Sequence, residues 1–139
     1  NELRQRIMDI LQKEAELQEI VQLVGVDSLS APDRLILEEA RSIREDYIQQ
    51  NAFDENDAYS TYEKQYKMLE LVLSYYDVAK AALDKGADMD DLFTMPARDR
   101  IARAKACPQD QVDETFASIT AQLKSEAAAL VAEAAKEAM

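Results

Sequence analysis

Carboxylates dominate the side chains that could do chemistry in this chain: 28 Asp and Glu stand against 16 Lys and Arg, with one cysteine, Cys107, and no histidine. Zinc sites draw on clustered Cys and His, and an activated nucleophile generally takes its base from His, so this inventory excludes most of both. One cysteine forms no internal disulfide, which suits a reducing compartment. A phosphate-cradling loop needs several glycines and a following Lys-Ser or Lys-Thr, because backbone N–H groups must come close to the phosphate oxygens. Gly25 and Gly86 are the two glycines present, and neither has that context. Acid–base catalysis by carboxylates alone is the enzymatic reading left. Against it, so many acids on helical surfaces bring pairs together by chance.

The acid-rich stretch that begins at Asp54 tests poorly as a calcium loop. Asp54 and Asn56 suit the first and third ligand positions, but Ala58 stands at the fifth, Tyr59 replaces the glycine at the sixth, and Gln65 occupies the twelfth. Asp88, Asp90 and Asp91 read as charges at a helix N-terminus, where the backbone dipole favours anions, and not as a metal site. What remains is the loop over residues 50–62, where polar turn formers are mixed with Phe53, Tyr59 and Tyr62. Aromatic rings left in water cost free energy, so this loop needs a reason. Two readings of Phe53 are open: it plugs the end of a helical bundle, or it offers a stacking face to a flat ring such as adenine.

The elements that must position these residues are helices. Ala, Leu, Glu, Lys and Gln are abundant, and two glycines with three prolines leave little punctuation. Leu3, Ile7, Ile10, Leu11, Leu17, Ile20, Val21 and Val24 recur at the helical period, and Gly25 supplies a stop. Ser30, Pro32 and Asp33 then open a second helix, with Ile36, Leu37, Ala40, Ile43, Tyr47 and Ile48 along one face to about Gln50. The short connection predicts an antiparallel hairpin. Ser60 and Glu63 form a capping-box pattern for a third helix, which buries Met68, Leu69, Val72, Leu73, Tyr76, Ala79 and Leu83 and stops at Gly86. A short turn around Leu92 follows. A helix from Pro96 toward Cys107 comes next, and then a last helix, capped by Asp110, that turns Val112, Phe116, Ile119, Leu123, Leu130 and Val131 inward. The Ala-rich end of that helix is expected to fray or to pack on neighbours. The fold expected is all-α: one domain over residues 1–139, a bundle of about five to six helices that begins with a helical hairpin.

A formal charge of -12 repels nucleic-acid backbones and anionic membrane, and the cluster Arg98, Arg100, Arg103 and Lys105, set among acids, reads as a solvated helix face. No stretch is apolar enough to insert directly into a membrane, and the N-terminus lacks a signal-peptide pattern. The chain starts at Asn1 with a helical pattern almost at once, which is expected of a fragment of a longer protein.

Residues 17–59 are recognisable. Their Leu-Gln-Glu-Ile-Val-Gln-Leu-Val-Gly-Val-Asp run and the later Asp-Arg-Leu-Ile-Leu-Glu-Glu-Ala-Arg-Ser-Ile-Arg-Glu-Asp-Tyr-Ile-Gln-Gln-Asn-Ala-Phe-Asp run closely resemble the C-terminal domain of the catalytic A subunit of archaeal (A-type) and vacuolar-type rotary ATPases. The stretches 63–69 and 97–103 extend the resemblance over most of the chain, while the sequence beyond about Asp110 is generic.

The resemblance implies a parent subunit that alternates with B subunits in a hexameric headpiece on the cytoplasmic face of the cell membrane. That subunit would bind ATP or ADP with magnesium in a P-loop domain upstream of Asn1, and would couple ATP synthesis or hydrolysis to proton or sodium transport through a rotating central stalk. It implies no catalytic residue, metal ligand or resident cofactor in the fragment itself. It places Ala52 and Phe53 against the adenine ring. It places Asp27, Ser28, Leu29, Ser30, Ala31, Pro32 and Asp33 at the tip facing the central stalk, with fewer acids than the related F-type loop, so that shape matters there more than charge. The alternative is a stand-alone acidic helical adaptor that binds a partner helix and no nucleotide.

Overall fold

The computed structural model describes residues 2–49 and 62–138. The apolar period at the start of the sequence folds as α1 (Glu2–Val24), and after a 3-10 turn at Val26–Ser28 the chain reverses into α2 (Ala31–Ser42). A π-helical segment, Ile43–Gln49, prolongs α2. Then come α3 (Tyr62–Asp84), the short α4 (Met89–Phe93), α5 (Pro96–Arg103), 3-10 turns at Ala104–Ala106 and Gln109–Gln111, and α6 (Val112–Glu137). These six α-helices, with no strand among the described residues, form the all-α bundle the sequence predicts.

Helices α2, α3 and α6 build the centre, where Leu35, Ile43, Met68, Val72, Leu73, Tyr75, Ile119 and Leu123 are buried together with Ile101 of α5. Burial of side chains of this size is worth about 1.5–3 kcal/mol each, which is why the helical period and not the loops fixes the architecture. The hairpin is antiparallel: Arg44, beyond the end of α2, pairs with Glu14 in mid-α1. Near the tip, Gln18 and Val26 share a groove with Arg34 and Leu37. Ser30 caps α2 by accepting from the Asp33 backbone N–H at 3.4 Å, with Pro32 in the first turn. Asp88 caps α4 by accepting from the N–H groups of Asp90 and Asp91 at 2.8 and 3.3 Å, as its position predicts.

Several expectations are corrected. Asp110 caps nothing: it lies inside the Gln109–Gln111 turn, and the residue before α6 is Gln111, with no side-chain cap. The Ala-rich end is helical to Glu137, with Ala127 buried, Val131 packed on the core and most residues beyond it exposed. The basic cluster is a solvated face only in part: Arg98 and Lys105 are buried, Arg100 is half-buried and Arg103 is exposed. The apolar stripe of α1 is only half covered: Ile7, Ile10 and Leu17 are buried, whereas Ile20 and Val24 are exposed. The capping residue proposed for α3, Ser60, lies outside the described residues, as does the loop but for Tyr62.

Candidate functional site

Two places stand out, and α1 separates them. Between Arg4 and Val24 the helix rises about 30 Å, at about 1.5 Å per residue.

The first place is the hairpin tip. Gly25 ends α1 at φ 89° and ψ 159°, a conformation closed to side chains with a Cβ, and its N–H still donates to the Val21 carbonyl at 2.8 Å. The freed Gly25 carbonyl accepts from Ser28 Oγ at 2.7 Å and from the Ser28 N–H at 3.3 Å, so the turn is stiffened by its own hydrogen bonds. Of the residues expected to face a stalk, Asp27, Ser28, Ser30 and Pro32 are exposed and Leu29, Ala31 and Asp33 are half-buried. Sequence reasoning missed what surrounds them. Leu23 is 84% exposed and Val24 64%, with Ile20 and Val26 also exposed, and together they make the tip an apolar knob. The signal was present in the sequence: the stripe runs through Leu23, Val24 and Val26 to the turn, but periodicity says which side chains share a face and not whether anything covers it.

The second place is the opposite end, where the chain leaves the π segment at Gln49 and returns at Tyr62. Ala52 and Phe53, the residues expected against adenine, lie outside the described residues, but both anchors of the intervening stretch are visible. On the outgoing side, Asp46 is buried and accepts from Ser42 Oγ at 2.7 Å and from Arg98 Nη1 at 2.8 Å. Next to it the Tyr47 ring lies 5.1 Å from Lys105 Nζ, a cation–π contact. On the returning side, Lys64 is buried and donates through Nζ to the carbonyls of Lys105 and Cys107 at 2.9 and 2.8 Å. The turn after α5 therefore grips both ends, from positions 41 and 43 residues away from Lys64 in sequence. A shallow pocket of about 30 Å³ opens beside these anchors, lined by Arg4, Tyr47, Tyr62, Gln65, Tyr66 and Leu69. That is room for about one water molecule, far below the several hundred Å³ of a ligand pocket, so these residues offer one aromatic wall and cannot enclose a nucleotide.

Between the two places a buried carboxyl stands without partners. Glu39 on α2 is wholly buried and neither oxygen accepts a hydrogen bond. Burial pushes its carboxyl well above the usual carboxylate range, a shift opposed chiefly by Arg98, reinforced by Asp77, opposed by Arg6 and reinforced by Asp46. Arg98 itself donates to Asp46 and, at 3.2 Å, to Glu38, with its guanidinium 5.6 Å from the Tyr75 ring centre. No group of three metal-ligating side chains comes together among the described residues. No helix there is long and apolar enough to cross a membrane.

Comparison with known proteins gives one consistent result. The family described as the C-terminal domain of V and A type ATP synthase matches residues 1–93. A V-type ATP synthase alpha chain of Acetivibrio thermocellus is 53% identical over 130 residues, which is 94% of this chain and 22% of that protein. One from Clostridium perfringens is 51% identical over 131 residues, with the same coverage of 94% and 22%. One from Thermoanaerobacter pseudethanolicus is 47% identical over 137 residues, 99% of this chain and 23% of the relative. The chain thus spans less than a quarter of the length of the curated relatives it matches, and these are bacterial.

Proposed function

Because the chain belongs to the family of C-terminal domains of V- and A-type ATP synthases, we propose that it is the mechanical output domain of the catalytic subunit of a rotary ATP synthase. In this reading it passes displacement from the nucleotide site to the central stalk and carries no catalytic group of its own. The observation that carries it is the exposed apolar knob of Ile20, Leu23, Val24 and Val26 at one end of an unbroken helix whose other end lies beside the anchors of the segment holding Ala52 and Phe53. Family membership favours it over the free-standing adaptor.

Magnesium and the phosphates of ATP would be held by other parts of the parent subunit and would supply its phosphoryl chemistry. This chain presents Ala52 and Phe53 to the adenine edge, on a segment whose two ends are fixed by Asp46 and Lys64. Helices packed at core density move as a body, so a displacement at that end reaches the tip. There the turn holding Asp27, Ser28, Leu29, Ser30, Ala31, Pro32 and Asp33, with the knob beside it, bears on the stalk. An apolar knob supports contact by shape and burial over a grip by charge. The remaining neighbours are B subunits of the headpiece, the whole standing on the cytoplasmic face of the membrane and serving proton or sodium transport. Deleting residues 27–33 from the full-length subunit in its assembled complex is the test. ATP hydrolysis that persists while ion pumping collapses supports the reading, and undiminished pumping overturns it.

A further inference from the structure

Arg98 pairs with two carboxyls on one helical stretch, α2 and its π-helical continuation, and its charge also acts on a third. Its Nη2 pairs with Glu38 at 3.2 Å and its Nη1 with Asp46 at 2.8 Å, while its Nε is buried without an acceptor. Glu39, the third, is buried with both oxygens unpartnered, and Arg98 is the cation that acts on it most strongly. A buried guanidinium N–H and a buried carboxyl, each without a hydrogen-bond partner, cost free energy in the observed arrangement. If Arg98 turned from Asp46 to Glu39, Glu39 would gain a partner and Asp46 would keep the Ser42 hydroxyl alone. Asp46 belongs to a π-helical segment, a rare form that occurs frequently at functional sites.

We propose that Ile43–Gln49 is a two-state register switch in which Arg98 is the positioning residue. In the state observed, Asp46 holds Arg98 and the segment is π-helical. In the other, Arg98 pairs with Glu39 and the segment tightens to α-helix, turning the chain that leaves at Gln49 by roughly one residue's step, about 100°.

The titratable and charged groups around Glu39 are Arg6 from α1, Tyr75, Tyr76 and Asp77 from α3, Asp46 from the π segment and Arg98 from α5. Burial favours the protonated carboxyl of Glu39 while Arg98 is engaged elsewhere, and Arg98 pairing with it favours loss of that proton to solvent. Rising pH therefore favours the second state. The consequence for nucleotide handling rests on the function proposed above, whereas the switch itself does not.

The test uses the full-length subunit with 3-fluorotyrosine incorporated and the Tyr47 fluorine resonance assigned through Tyr47→Phe, because Tyr47 leaves Lys105 when the register changes. Two Tyr47 resonances are expected, the minor one growing as pH rises above the ordinary carboxylate range. Asp46→Asn raises the minor-to-major ratio by about tenfold or more, and Glu39→Gln leaves the major resonance alone at every pH. A single Tyr47 resonance that ignores pH and both substitutions overturns the switch. Adding ATP with magnesium separates the two claims: a changed ratio ties the switch to the nucleotide site, and two resonances indifferent to nucleotide leave the switch standing while counting against the proposed role of the segment.

Discussion

Arg98 Nη1 donates to Asp46 Oδ2 at 2.8 Å across 52 residues of sequence, and both side chains are almost wholly removed from water. A buried ion pair is poor evidence of net stability, but breaking one from one side is expensive because the other charge is stranded. Arg98→Met should therefore lower unfolding stability by about 3–5 kcal/mol, while the double variant Arg98→Met with Asp46→Leu should regain most of that loss. Urea unfolding of the single and double variants measures it, and equal losses in both would mean that the pair is not coupled.

Glu39 sets a pH dependence. Its folded-state carboxyl is held above its ordinary value of 4.5, first by burial. Stability linked to it is therefore fully present below that ordinary value and is lost as pH rises through the raised one. Glu39→Gln removes this group, so the stability difference between variant and wild type should shift in favour of the variant as pH is raised from 4.5 through the elevated value. Thermal unfolding of both proteins across that range checks the sign, and a constant difference would show that Glu39 does not titrate abnormally.

The helices were legible because each element is announced locally. Ser30 and Asp88 each have a cap pattern within three residues, Pro96 opens α5, and the apolar period of α3 and α6 spans many turns. The burial of Arg98 and Lys105 was not legible, since the partners that compensate them come from the π segment, and a basic run without its tertiary neighbours reads as surface. Nor could the sequence separate Glu39 from the half-buried Asp33 and Glu38 on the same helix, because carboxylate spacing along α2 carries no record of which turn faces Tyr75 and Arg98. At the tip the residue types were right and the inference from them incomplete: Val24 continues the buried stripe of Ile10 and Leu17 in period, yet the bundle stops short of it. Ala52 and Phe53 were read from the resemblance and lie outside the described residues.

Phe53 gives a prediction about affinity. Stacking of one aromatic ring is worth about 0.5–1.5 kcal/mol beyond burial, so Phe53→Ala in the assembled complex should weaken ATP binding by roughly threefold to tenfold. Phe53→Tyr should keep most of it. Titration of the complex with a fluorescent ATP analogue reads this directly, and an alanine variant with unaltered affinity would sink the adenine contact.

The apolar knob gives the sharpest separation of folding from function. Leu23 is 84% exposed, so Leu23→Asp removes almost no packing, and surface changes of this kind usually stay within about 0.5 kcal/mol of wild-type stability. If the knob works by burying itself against a partner, a charge placed there must instead be desolvated on contact, which is far costlier than losing a methyl group. Leu23→Asp combined with Val26→Asp should therefore unfold at nearly the wild-type temperature in the isolated subunit, yet cut ion pumping per ATP hydrolysed several-fold in the complex. Leu17→Asp provides the contrast: Leu17 is buried at 2% exposure, and its replacement should destabilise the hairpin itself. Pumping efficiency that is unchanged in the double tip variant would remove the knob from the transmission path.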